Sequence, residues 1–130
     1  FLYQGMKMND SSTKIWPVEI RIKTKEKALE IDFDNGESFI IKAELLRVES
    51  PSAEIQGHGS GQKVTLAGRR HVGILSVEPV GNYAIKISFD DMHDTGIYSW
   101  QYLYDLGANQ NDLWSDYLTR VKELGFSRDP

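Results

Sequence analysis

The sequence predicts an α+β fold, an antiparallel β-sheet of about five strands packed by one or two C-terminal helices. Three observations carry that expectation. Up to Phe89, apolar residues alternate with polar ones in short runs broken by turn residues. Asn35-Gly36 joins two of those runs, which is the chemistry of a two-residue hairpin. After Ser99 the apolar residues recur at helical spacing instead.

The elements follow in order. In "WPVEIRIK" (16–23), Val18, Ile20 and Ile22 alternate with Glu19, Arg21 and Lys23, the pattern of a half-buried strand, and Pro17 stands where a strand tolerates it. "KTKEK" is a charged loop. In "ALEIDFDNGESFIIK" (28–42), Leu29, Ile31 and Phe33 alternate with Glu30, Asp32 and Asp34. Asn35-Gly36 then turns the chain and "ESFIIK" returns. "AELLRVES" (43–50) reads as a short helical turn or an irregular stretch ended by Pro51. Residues 51–70 hold Gly57, Gly59, Gly61 and Gly68 and read as a long loop, with room for a short strand at "KVTL".

Two strands, 71–81 and 82–90, meet at a Gly81-Asn82 turn, with Tyr83, Ile85, Ile87 and Phe89 on one face of the second. Ser99 can cap a first helix, striped by Trp100, Leu103 and Leu106 and stopped by Gly107. Asn111 or Asp112 can cap a second, over 111–124, whose apolar stripe runs Leu113, Trp114, Tyr117, Leu118, Val121, Leu124 and which Gly125 ends. The domain is therefore expected over 14–125. Residues 1–13 read as a disordered lead-in or cloning remnant, with Met6 or Met8 the better start, and 126–130 as a tail.

Composition removes several functions. The net charge of -4 disfavours nucleic acid and anionic lipid as main partners, because both require a basic face. Without cysteine there are no disulfides, thiolate zinc sites, cysteine-ligated clusters or thiol nucleophiles. No apolar run approaches the ~20 residues of a membrane span. The start lacks the charged and apolar regions of a signal peptide. A cytoplasmic protein is expected.

The densest polar stretch is "DDMHDTGIYSW" (90–100). Asp90, Asp91, His93 and Asp94 are residue types that zinc, iron or manganese accept, or that serve acid–base chemistry. The same letters make a turn where a strand becomes a helix, and this reading is preferred. Two positions after His93 stands Thr95, so the His-x-carboxylate pattern of a facial iron triad is absent. "GHGSGQK" (57–63) fails the spacing of a phosphate loop, since Gly61 is followed by Gln62. His58, His71 and His93 suffice in number for a zinc site, but nothing in their spacing brings them together. No nucleophile motif is present.

Four pieces, "LEIDFDNGESF", "AELLRVESPSAEIQGHG", "VGILSVEPVGNYAIKISFDD" and "GIYSWQYLYDLG", resemble in order and wording the gamma-butyrobetaine hydroxylase-like N-terminal domain family. That family is a small bacterial domain of unassigned function, found also at the front of carnitine-pathway iron oxygenases and on some iron–sulfur cluster carrier ATPases. The resemblance spans about residues 16–107 and leaves out the helix of 111–124. In the oxygenases the domain holds a structural zinc through a Cys-x-Cys-x-x-Cys run and a histidine. The resemblance lays those positions on Ser50, Ser52, Ile55 and His93, so three ligands are lost and no cofactor is expected. The oxygenase chemistry belongs to a larger domain absent from this chain.

The resemblance thus implies a non-catalytic accessory or protein-interaction module with a link to iron or iron–sulfur metabolism. Its protein partner is unidentified, and it is a monomer or weak dimer. The expected surface is His93 with Asp90, Asp91 and Asp94, near His58 and the Tyr98–Trp100 corner. Tyr98 and Trp100 are anchors if exposed. The alternative is a new metal site joining His93 to aspartates or to His58 or His71.

Overall fold

A computed structural model describes residues 15–56, 63–94 and 96–130. Its elements in chain order are β1 (Pro17–Lys23), β2 (Ala28–Phe33), β3 (Ser38–Lys42), α1 (Ala43–Val48), α2 (Ala53–Gln56), β4 (Ile74–Val80), β5 (Ala84–Phe89), β6 (Ile97–Ser99), α3 (Trp100–Ala108) and α4 (Gln110–Glu123). The class is α+β. Among the described residues the strands number six and form two antiparallel sheets, β1-β2-β3 and β4-β5-β6. The sixth, β6, is too short at three residues to show any alternation.

The period of two decides which side of each sheet is buried. In the first sheet Ile20 pairs with Ile31 and Ile31 with Phe39, so these point to one face. The other face carries Arg21, whose guanidinium donates to Glu30 and Asp32 at 3.0 Å. In the second sheet Val77 opposes Ile87 and Ile85 opposes Tyr98. Ile85, Ile87 and Phe89 are buried as the pattern requires. Tyr83 is not on that face: it lies in the turn before β5 and is exposed.

α1 is a buried helix rather than an irregular stretch. All six residues of AELLRV are buried, Glu44 and Arg47 included. Burying those charges is possible because both are paired. Arg128 donates twice to Glu44, at 2.9 and 2.8 Å, and Arg47 donates to Asp91 at 2.8 Å. These partners are 84 and 44 residues away in the chain, where no local pattern reveals them.

Ser99 caps α3 as expected, accepting from the Tyr102 N–H at 3.1 Å. Gly107 does not stop it. The helix runs on to Ala108, and Gly107 is instead a contact point, since a Cβ there would run into the Phe39 ring. Tyr104 of the same helix meets Phe33 and Phe39 edge-on, at 5.2 and 5.3 Å. α3 therefore packs across the first sheet while continuing directly from β6 of the second.

α4 begins at Gln110, earlier than expected, so Asn111 and Asp112 lie in its first turn and neither caps it. It packs within the chain: Tyr117 is buried and donates to the Leu66 carbonyl at 2.7 Å. Gly125 does end it, at φ +71. The Phe126 N–H reaches Val121 O and the Gly125 N–H reaches Lys122 O, the paired bonds of a left-handed helix terminus.

Residues 126–130, expected as a tail, are docked: Gly68 N–H donates to Ser127 O and Arg70 N–H to Arg128 O. The segment they lie against has no strand at "KVTL". The expected lead-in over residues 1–13 falls outside the described residues. Among the described residues no helix is long and apolar enough to cross a membrane.

Candidate functional site

β5 ends at Phe89 and the chain turns tightly. The Phe89 carbonyl accepts from the Met92 N–H at 3.2 Å, and the Phe89 N–H donates to the His93 carbonyl at 2.9 Å. Closing so short a loop requires a left-handed residue, a place that favours glycine or asparagine. Here Met92 fills it, at φ +74. Its side chain is 86% exposed.

Asp91 points inward. Its Oδ2 lies 2.8 Å from Arg47 Nε and 2.8 Å from Arg69 Nε, and its Oδ1 accepts from the His93 N–H at 3.3 Å. Burial works to raise its pKa. The Arg47 hydrogen bond and charge, the His93 N–H and Arg69 outweigh burial and hold the carboxyl below its ordinary value. Asp91 is thus a strut of the corner, not part of its outer surface. Asp90 and Asp94 do face outward.

His93 is buried as well, 6% exposed. Its Nε2 lies 3.0 Å from Ser50 Oγ and 3.5 Å from Ser52 Oγ, and the two hydroxyls are 3.3 Å apart. Three of the positions on which the family zinc would fall therefore converge in space. Ile55 is fully buried and offers only hydrocarbon. Two neutral hydroxyls and one imidazole lack the thiolates or carboxylates a structural zinc requires, so these residues do not fit the ion. Among the described residues no group of three or more His, Cys, Asp or Glu could hold a metal.

Tyr98 is fully buried and donates to the Leu46 carbonyl at 2.5 Å; burial pushes its pKa up. Trp100 is half-buried, packs on the core and donates to the Asn82 carbonyl at 3.0 Å. Neither is an exposed anchor. His71 is exposed and His58 lies outside the described residues. Among the described residues of the expected surface, only Asp90 and Asp94 face outward, joined by Met92, which residue-type reasoning passed over. Arg47 was also missed. Arg69 stands in the "RRH" run (69–71), which reads as a local basic patch or a solvated loop end; in the structure its Nε lies 2.8 Å from Asp91 Oδ2.

The corner has a second buried charge behind it. Glu49 pairs with Lys63 at 2.5 Å and Arg120 at 3.6 Å. The Tyr102 hydroxyl donates to the Glu49 carbonyl at 2.5 Å; burial and the Glu49 charge push its pKa up to about 12.

The family model described as "Gamma-butyrobetaine hydroxylase-like, N-terminal" matches residues 20–104. Two similar chains are each titled an NMR solution structure of the protein. One is 48% identical with a TM-score of 0.80, over 95% of this chain and 92% of its own. The other is 45% identical with a TM-score of 0.77, over 88% and 90%. A crystal structure from Acidithiobacillus ferrooxidans, of a protein with unknown function in the DUF971 family, is 37% identical with a TM-score of 0.60, over 71% and 92%. Comparison with curated proteins found no match.

Proposed function

We propose that this chain, which belongs to the gamma-butyrobetaine hydroxylase-like N-terminal family, is a non-catalytic, cytoplasmic docking module that works without a metal and binds a protein of iron or iron–sulfur metabolism. The contact is the outer face of the 89–94 corner: Met92 as an apolar knob, Asp90 and Asp94 as its acidic rim. The observation that carries this reading is the backbone of Met92. A non-glycine residue in the left-handed region costs roughly 1–2 kcal/mol. Strain of this kind gathers at binding sites, where the surroundings hold it in place. Here Arg47 and Arg69 clamp Asp91 one residue away, so the knob is presented rigidly.

An interface anchor of this type pairs with a groove that is apolar at its centre and basic at its edge. The family's occurrence on iron–sulfur carrier ATPases makes such an ATPase the first partner to test. Calorimetric titration of the ATPase with the domain should give saturable binding that Met92→Ala weakens about tenfold, since anchor truncation exceeds 1 kcal/mol. Asp90→Asn with Asp94→Asn should reduce the salt dependence of binding. Equal affinity of all three proteins would refute the assignment.

A further inference from the structure

We infer that the cleft between the 24–27 turn, the β3–α1 junction and the docked C-terminal residues binds a small phosphate-bearing anion. The cleft is about 210 Å³, lined by Glu26, Lys27, Lys42, Glu44, Arg70 and Arg128 with Val72 as its apolar wall. That is below the ~300 Å³ where sites for drug-sized ligands begin, so the ligand is small.

The cations in it are unequally engaged. Arg128 is committed to buried Glu44 by its two hydrogen bonds and forms part of the wall. Among the described residues, Lys27 Nζ meets only a neutral partner, the His71 carbonyl, at 2.8 Å. Lys42 Nζ lies 4.6 Å from the Trp114 ring centre and has no carboxylate partner among the described residues. Arg70 pairs with Asp129, whose side chain is 62% exposed. An exposed pair of this kind is worth at most about 1 kcal/mol and yields readily to a better anion. Three donors are therefore available to a ligand, opposed by the Glu26 carboxylate.

The backbone adds an independent observation. Among the described residues only two non-glycine residues have positive φ, and Lys27 is the other, at +54. Its carbonyl is fixed by the Ala43 N–H at 2.8 Å. The strain places a lysine at the cleft where glycine would be the stable choice. Multivalent phosphate suits this set better than a monovalent carboxylate, because the lining carries four cationic residues, Lys27, Lys42, Arg70 and Arg128, against two carboxylates, Glu26 and Glu44.

The test is amide NMR of the ¹⁵N-labelled protein titrated with inorganic phosphate and with glycerol phosphate, with chloride and acetate as controls. Saturable shifts around residues 26–28, 42–44 and 70–72 are expected with both phosphates. Tighter binding of the ester would assign a phosphorylated metabolite, and equal binding free phosphate. Lys27→Gly, which relieves the strain while removing the ammonium, and Lys42→Gln should each weaken binding at least fivefold, and Glu26→Gln should tighten it. Unsaturable shifts, identical shifts with chloride or acetate, or unchanged affinity in Lys27→Gly would overturn the inference.

Discussion

His93 Nε2 lies 3.0 Å from Ser50 Oγ, across 43 residues of chain, and the serine is fully buried. The bond ties the end of α1 to the loop after β5. Losing a buried hydrogen bond of this kind costs about 1–3 kcal/mol. Ser50→Ala should lower the urea midpoint without changing the slope, and His93→Ala should cost about 2 kcal/mol. The sequence alone put His93 on the surface, where its removal leaves the fold intact; a fully stable His93→Ala protein would restore that view.

Metal binding gives a sharper test of the same cluster. Titration with zinc or ferrous iron should produce no saturable amide shifts near residues 50–55 and 93. Replacing Ser50, Ser52 and Ile55 together by cysteine should create a protein that retains one zinc against a weak chelator, because thiolates supply the charge the hydroxyls lack. Stoichiometric zinc in the unaltered protein would contradict this.

Asp91 links the corner to acid stability. Its folded pKa lies below the ordinary 3.8, so its contribution is present above that value and is lost as pH falls through the lower folded pKa. Asp91→Asn takes from Arg47, 3% exposed, the charged half of their 2.8 Å pair. A loss of about 3 kcal/mol at neutral pH is expected, with a flatter acid limb below about pH 4 in denaturant melts. An unchanged acid limb would show that Asp91 has no such role.

Met92→Gly should raise stability by about 1 kcal/mol while weakening the partner, since glycine accepts φ +74 and removes the knob. Thermal melts and calorimetry on one preparation separate the two effects. A destabilised variant would mean that Met92 is held by packing instead.

Gly107→Ala distinguishes a contact from a helix stop. Helix propensity alone would favour alanine by about 1 kcal/mol. The Phe39 ring in the way should reverse the sign, giving a net loss of about 1–3 kcal/mol in urea unfolding.

Much of the fold was legible because it is local. Alternation found β1 to β5, and Ser99 and Gly125 found two helix ends. Asn35-Gly36 found the β2–β3 hairpin but not its turn: Gly36 has positive φ and Asn35 does not, and the Phe33 N–H bond to the Glu37 carbonyl leaves three residues in the loop. What escaped depends on distant residues. Arg128 explains why Glu44 can be buried in α1, and Phe39 explains why α3 has a glycine before its end. At the site, residue type suggested a polar surface over 90–100. The structure turned Asp91, His93 and Tyr98 inward and left Met92 out, because one left-handed residue decides which side chains the loop exposes.

Cross-saturation NMR of the labelled domain bound to the iron–sulfur carrier ATPase decides whether the proposed docking surface is the outer face of the 89–94 corner. Signal loss should centre on Met92 and the amides of residues 89–94 and weaken at sub-saturating partner in Met92→Ala. Loss centred elsewhere, with 89–94 untouched, would contradict it.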